Sequence, residues 1–445
     1  MCYFSLHPFE SPGGIMAEVS SFKGLLYNTS KVKIEDVVAP PYDVISPEEQ
    51  ERLYQRSPYN VVRLILGKET PRDTLSDNRY TRARAFLEEW IREEILIRDA
   101  QERLYLYRQE FSALGRKWRR MAFFARVRLA DFSEEVILPH ERTLSAPKED
   151  RLKLLRECRV NFSPIFGLFP DEDGGVYSLL KEASEVSPFC RFGDEAGVIH
   201  EFWLLDGTLV EAIKRSFGSQ PILIADGHHR YETALQYRKE RTQANPNHTG
   251  REPYNFVMMA LVSMKDPGLL VLPTHRVLKG DLPYSAEVLE ERLGRYFERM
   301  ALYSDLNGLL SALDGASPHV FGLHFSGGPF LLVSLKKGVD LDRELSHLPP
   351  PMRELDVILL HELLLERVFG VSHEEVRDKG RLGYYKDARQ ALEDVDKGVG
   401  SLAAFLRAPS VDEIWKVARV GETMPQKSTY FYPKLITGLV MNPLD

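Results

Sequence analysis

The stretch from Pro221 to Leu235 changes its hydrophobic period within a few residues, and that change constrains the fold more than any other feature. Pro221 to Ala225 is a short apolar run of the buried-strand type. From Arg230 to Arg241 the apolar residues Tyr231, Ala234, Leu235 and Tyr237 recur among charged ones, as on an amphipathic helix. Asp226-Gly227-His228-His229-Arg230 therefore occupies a strand-to-helix turn. Gly227 permits a tight bend, the first helical N–H groups lie just beyond it, and two imidazoles and a guanidinium stand beside them. That combination suits a cluster of anionic oxygens, with phosphate as the expected guest and His228, His229 and Arg230 as its contacts. The alternative is an ordinary helix start in which Asp226 caps N–H groups and the histidines are structural.

With 445 residues, 43% of them hydrophobic and 28% charged, the chain is long enough for two or three domains with ample cores. A formal net charge of −7 with no strongly basic region argues against broad nucleic-acid binding. Three cysteines, Cys2, Cys158 and Cys190, have no metal-ligand spacing, and so sparse a set implies a reducing compartment, hence a cytoplasmic protein. No apolar run reaches the ~20 residues of a membrane span. Residues 1–15 lack both a basic start and an apolar core, so they read as a disordered extension or as the product of a misplaced start, with Met16 as the true one.

Along the chain, Phe22 to Tyr27 and Val61 to Leu66 read as strands, and Ser46-Pro47-Glu48-Glu49 as a helix start. A charged helix covers Tyr80 to Glu94. Leu104 to Glu110 and Lys117 to Leu129 read as a hairpin around Ala113-Leu114-Gly115. Tyr254 to Met264 and Gly268 to Pro273 are apolar strands expected to pair with the strand before Asp226. Charged helices at 285–300 and 354–369 and strands near 320–336 follow. The expected class is mixed α/β.

Four further segments concentrate reactive side chains. In Pro40-Pro41-Tyr42-Asp43 the prolines stiffen a loop that offers Asp43, as a turn residue or as a carboxylate for catalysis. Asn60, just before an apolar run, reads either as a substrate contact or as an ordinary turn residue. His140-Glu141-Arg142-Thr143 with Lys148, Asp150 and Arg151 gathers cations near a helix start. Neither His140-Glu141 nor His361-Glu362 continues as His-Glu-x-x-His, so a zincin-type protease is disfavoured. Thr274-His275-Arg276 follows a strand, where open sheets present ligand groups. Met424 to Lys434 packs Lys427, Ser428, Thr429 and Lys434 among aromatics and reads as a phosphate clamp or as a packed terminal strand. It lacks the glycine frame of a Walker loop.

Asp226-Gly227-His228-His229-Arg230 resembles the signature of the ParB/sulfiredoxin superfamily, notably its free L-serine kinases. Ala39 to Ile45, His140 to Thr143, Asn161 to Pro164, Pro273 to Arg276 and Met424 to Thr429 resemble domain-of-unknown-function family 1015 over nearly the whole chain. The resemblance implies a ParB/sulfiredoxin-like core split between 16–66 and 220–280. An inserted α/β region would cover 67–219, and a C-terminal α/β region, 281–445, would return to the active site. It further implies L-serine as acceptor, Asp226 in the catalytic apparatus, and Asp43 in the place of the kinases' upstream acid, which is a Glu.

Chemically, phosphoryl transfer needs cations and N–H groups around phosphate and carboxylates for Mg²⁺ or the acceptor proton. The expectation is thus a small-molecule phosphotransferase. Asp226 would be metal ligand or base, Asp43 would act on the acceptor, and His140, Glu141, Thr143, Lys148, Arg151, His275, Arg276, Lys427, Ser428, Thr429, Lys434 and Asn60 would be further phosphate or substrate contacts. Pyrophosphate or ATP/ADP would be the donor, Mg²⁺ the metal, with no organic cofactor, no nucleic acid, no membrane and a homodimer as the protein partner. A non-enzymatic nucleotide-binding regulator is the rival. A sulfiredoxin-like redox enzyme is disfavoured because no cysteine stands beside the turn.

Overall fold

The computed structural model describes residues 17–141, 145–372, 374–375 and 380–445. The chain is mixed α/β and divides into two units, the first made of residues up to Leu138, Leu144–Gly268 and Pro433–Asp445, the second of Pro139–Thr143 and Leu269–Tyr432.

In the first unit, among the described residues, nine strands share one sheet. They are β1 (Val19–Ser20), β2 (Leu104–Ala113), β3 (Arg116–Arg128), β4 (Ile137–Leu138), β5 (Ile165–Phe169), β6 (Cys190–Gly193), β7 (Ile199–Leu205), β8 (Ile222–Asp226) and β9 (Phe256–Ser263). Their order is β4-β8-β5-β9-β3-β2-β7-β6, with β1 against β3. The region 67–219, expected as an insertion, therefore supplies most strands of the sheet that carries Asp226. The β2–β3 hairpin turns through Leu114 and Gly115, both at positive φ (51° and 72°), the two-residue geometry that matches strand twist.

Besides a single turn at Ile34–Val37, the α-helices described in this unit are α1 (Pro47–Arg56), α2 (Val62–Ile65), α3 (Arg79–Arg92), α4 (Ser145–Cys158), α5 (Gly175–Ala183), α6 (Gly207–Phe217) and α7 (His228–Ala244). Ser46 caps α1 by accepting from the Glu49 N–H at 3.2 Å, with Pro47 at its first position. Val176, Leu180, Val210, Ile213 and Phe217 of α5 and α6 pack on Phe123, Phe169, Ile222 and Leu261 of the sheet. Each large apolar side chain so buried contributes about 1.5–3 kcal/mol.

Three sequence expectations change here. Val61 to Leu66 holds the short helix α2 rather than a strand; a short, mostly buried apolar run carries no period that separates the two. And β8 does not pair with the Tyr254–Met264 strand: β5 lies between β8 and β9. Of Gly268 to Pro273, all but Gly268 belongs to the second unit.

The second unit has β10 (Leu270–Leu272) paired with β17 (Tyr430–Tyr432). Its six-stranded sheet runs β12-β14-β13-β16-β11-β15, from β11 (His275–Lys279), β12 (Phe297–Tyr303), β13 (Val320–Phe325), β14 (Phe330–Leu335), β15 (Leu382–Tyr385) and β16 (Gly400–Phe405). Its core gathers Val277, Leu309, Leu332, Ala391, Val395 and Phe405.

The loop bearing Asp43 is held from beneath. Asn60 is 0% exposed, its amide donating to the Asp36 and Val38 carbonyls at 2.8 and 3.0 Å while its oxygen accepts from the Val62 N–H at 3.0 Å. All of its reach goes to backbone, so it is a structural turn residue and not a substrate contact. Asn60→Leu strands two carbonyls and an N–H. Thermal or urea unfolding should show a loss of about 2–4 kcal/mol, and a loss below ~1 kcal/mol would mean that the loop is held elsewhere.

Candidate functional site

At the end of β8 the ladder with β5 carries one extra residue: Ile224 faces Gly167 and Asp226 faces Phe166, leaving Ala225 as a bulge. A bulge re-aims the side chain that follows it. Asp226 is thereby presented at the strand end, 19% exposed, directly before the helix. Gly227 has φ +94°, and a Cβ there would meet the Arg230 guanidinium at 2.9–3.1 Å, so only glycine lets Arg230 fold back across the turn. Gly227, the N-cap of α7, brings no side chain of its own to the helix start. Tyr231 pins the first turn from inside, its hydroxyl donating to the Ala130 carbonyl at 2.7 Å and accepting from the Ala130 N–H at 3.0 Å.

Two cations share the Asp226 carboxylate. Arg230 Nη2 donates to Oδ2 at 2.9 Å, while its Nη1 donates to the Pro164 carbonyl; Lys434 Nζ, from the last segment of the chain, donates to Oδ1. Burial alone would raise this carboxyl, but Lys434, then Arg230, with His228 adding to them, hold it well below the usual carboxylate range. A carboxylate held so low is a weak proton acceptor. The base role expected for Asp226 is therefore not favoured by its surroundings, and neither is the bare metal ligand, since both oxygens already accept from cations.

Around this triplet stand further expected residues of the first unit. His229 is half-buried; burial lowers its pKa, opposed by Glu232, with Lys148 lowering it, Asp43 raising it and Arg230 lowering it again. Asp43 is exposed on a 3-10 turn, Tyr42–Val44, and acts electrostatically on both His229 and Tyr42. Lys148 Nζ donates to Glu232 Oε2 at 2.6 Å, tying α4 to α7. Arg151 lies 4.0 Å over the Tyr42 ring, donates to the Ile65 carbonyl at 2.7 Å, and pairs with Asp150, which also accepts from the Tyr80 hydroxyl at 2.7 Å. A cavity of about 60 Å³ opens among Tyr42, Arg151, Asn161, Ser163, Ile165 and Arg230.

The remaining expected residues fall in the second unit. His140 is fully buried, its Nε2 2.8 Å from Thr429 Oγ1, which also donates to Glu141 Oε1 at 3.2 Å. Ser428 Oγ donates to the Pro425 carbonyl at 2.5 Å. Arg276, buried, donates to the Thr274 and Lys427 carbonyls and lies 4.7 Å from the Tyr384 ring; burial lowers its pKa to about 10. His275 is buried as well, its pKa lowered to about 4 by burial and then by Arg276. Both sit within strand β11, which pairs with β15 and β16, rather than in a loop after a strand. Lys427 is exposed at φ +60°. Thus the expected clamp divides: Lys434 reaches Asp226 in the first unit, whereas Lys427, Ser428 and Thr429 form a turn stapled to His140, Glu141 and Arg276 in the second. Thr143 lies outside the described residues.

Sequence reasoning missed Arg120 and Gln109 of the first unit. Arg120, 1% exposed, donates to the Pro433 carbonyl at 2.5 Å and to Gln109 Oε1, and Gln109 Nε2 donates to the Lys434 carbonyl at 3.0 Å. The available signal was position: Arg120 shares a strand face with Ala122 and Phe124, placing a cation on a buried face.

For magnesium, no group of three or more His, Cys, Asp or Glu poised for a metal occurs among the described residues. Mg²⁺ is commonly held by one or two carboxylates together with substrate phosphates, and Asp226, both of whose oxygens already accept from cations, does not fit that part. Cys158 and Cys190 carry thiols pushed up to about 12 by burial, so neither is an activated nucleophile. Among the described residues no helix is long and apolar enough to cross a membrane.

The family model described as "Protein of unknown function (DUF1015)" matches residues 19–358, and the chain belongs to that family. No curated protein matches. Similar solved structures include a free serine kinase in complex with AMP, at 15% identity and TM-score 0.33, covering 70% of this chain and 86% of that one. A conserved hypothetical protein from Pyrococcus furiosus shows 17% identity and TM-score 0.32 (70% and 90% covered). SbnI with C-terminal truncation from Staphylococcus aureus shows 12% and 0.34 (72% and 87%).

The depressed pKa of His229 is directly measurable. Because the folded chain favours the neutral ring, its contribution to stability is intact above the ordinary histidine value and is lost as pH falls through that value and then through the lower folded one. Ring-proton NMR assigned by His229→Gln should give a midpoint below that of the denatured chain. A midpoint at or above it would place an unbalanced carboxylate beside the ring.

Proposed function

We propose that the chain is a small-molecule phosphotransferase whose phosphate site is the strand-to-helix turn at Asp226. The observation that carries this reading is one carboxylate shared by two cations where a strand ends and a helix begins. Asp226 neutralises one of the two positive charges, so the cluster keeps a net positive charge, and the α7 N–H groups add partial positive charge in the same place. An incoming phosphate exchanges little solvent there, because Arg230 and Lys434 are already oriented.

The roles follow from the electrostatics. Arg230 and Lys434 hold the transferring phosphoryl group, Arg230 as a fork and Lys434 as a compact charge. Asp226 orients them rather than taking protons. Asp43 is the carboxylate suited to accept the proton of an acceptor hydroxyl. The cavity beside Tyr42, Arg151 and Arg230 admits a small acceptor. L-Serine is the acceptor implied by the resemblance of Asp226 to Arg230 to the free L-serine kinase signature, with O-phospho-L-serine as product and pyrophosphate or a nucleotide as donor. Mg²⁺ accompanying the donor phosphates would neutralise their charge.

³¹P NMR of the protein incubated with pyrophosphate, ATP or ADP, Mg²⁺ and L-serine or other small hydroxylated metabolites should reveal a new phosphomonoester. Lys434→Met, which keeps the aliphatic stem, should lower that rate by on the order of a hundredfold while the thermal midpoint moves by a few degrees at most. Donor binding without transfer to any acceptor would favour a nucleotide-binding regulator. Unchanged donor affinity in both Lys434→Met and Arg230→Met would remove the turn from the mechanism.

A further inference from the structure

The backbone that carries Lys434 is held by polar groups in the core. Arg120 is 1% exposed and Gln109 likewise, on adjacent strands β3 and β2, where Gln109 faces Arg120 in register. Burying a guanidinium costs free energy unless its donors are used and its charge is compensated. Here one donor meets the Pro433 carbonyl at 2.5 Å, another interaction joins it to Gln109 Oε1, and its Cζ lies 4.8 Å from the Phe166 ring. Phe166 is the residue that faces Asp226 across β5 and β8. Gln109 then donates to the carbonyl of Lys434 itself at 3.0 Å. The result is a continuous buried path from two strands to consecutive carbonyls, 433 and 434, immediately behind the amine that meets Asp226.

We propose that Arg120 and Gln109 are positioning residues that fix the Lys434 amine on Asp226, an inference that rests on the phosphate-site reading only for its functional consequence. A core arginine needed merely for stability could bond any carbonyl. Bonding the two that flank the Lys434 backbone instead sets where a four-carbon side chain begins, which decides whether its flexible stem delivers the charge to one point.

The test reads Lys434 directly. Brief acetylation of the full-length protein, followed by peptide mass spectrometry, should show Lys434 protected relative to exposed lysines such as Lys427. In Gln109→Met, which keeps volume but removes both bonds, Lys434 labelling should rise about fivefold or more as its amine leaves the ion pair, with circular dichroism unchanged. Arg120→Met threatens folding, so Arg120→Lys, which keeps a charge without the fork, is the companion variant and should show a smaller rise. Lys434 labelling unchanged in both folded variants overturns the positioning role.

Calorimetry with pyrophosphate separates this outcome from failure of the functional reading. If Lys434 holds phosphate, Gln109→Met should weaken binding severalfold in the native background and not in Lys434→Met, because the two substitutions act through one group. Equal losses in both backgrounds overturn positioning. Increased labelling with no change in affinity for Lys434→Met supports positioning and defeats the phosphate site.

Discussion

The double ion pair at Asp226 is the contact on which the rest of the first unit's site depends. A partly buried carboxylate next to two cations is stable only if each charge is met, and here the three groups come from a strand end, the first turn of the following helix, and the last thirteen residues. The bulge at Ala225 aims the acid, Gly227 opens room for the guanidinium, and the terminal segment brings the amine. Loss of the acid would leave two cations side by side with no counter-charge, the costliest of the three losses. The arrangement is therefore self-enforcing, and it leaves one positive charge in excess where an anion can use it.

The terminal segment earns its place by backbone pairing as well as by charge. Thr437 bridges Ala39 in both directions, its N–H and carbonyl bonded at 2.8 and 3.1 Å, and its hydroxyl meets Ser163 at 2.9 Å. Met441 pairs with Leu25, and the Asn442 amide donates to Asn161 at 3.0 Å. The segment that supplies Lys434 thus also braces the Pro40-Pro41-Tyr42-Asp43 loop, through Ala39, and the wall of the cavity, through Ser163. Acid, cation and cavity are coupled by the same few hydrogen bonds.

Much of this was legible in the residues. The strand, turn and helix at Pro221 to Arg241, the hairpin at Ala113 to Gly115 and the capped helix at Ser46 follow from period and turn chemistry, which are local. What was not legible is non-local. The continuous apolar run Ile165 to Phe169 says that it is a buried strand, not that it lies between β8 and β9; hence the expected pairing of Tyr254 to Met264 with the strand before Asp226 did not materialise. Likewise, Lys427 and Lys434 look equivalent in a segment rich in aromatics. Only the tertiary course separates a turn stapled to His140 and Arg276 from a residue whose carbonyl is caught by Gln109. Asn60 failed as a substrate contact for the complementary reason: an amide beside a buried turn serves unpaired backbone first, because leaving those groups unmet costs ~1–3 kcal/mol each.

The environments of the two acids divide the chemistry between them. Asp226 is held far into its charged form by Lys434 and Arg230, which makes it a poor base and a good fixed counter-charge. Asp43 stands exposed on a stiff turn, free of ion pairs among the described residues, yet within electrostatic reach of His229. On the proposed reading, the acid with strong cationic partners organises the phosphate side and the acid without them serves the acceptor side. Exchanging the roles would require Asp226 to give up two charge-assisted hydrogen bonds before it could take a proton, a cost that Asp43 does not face.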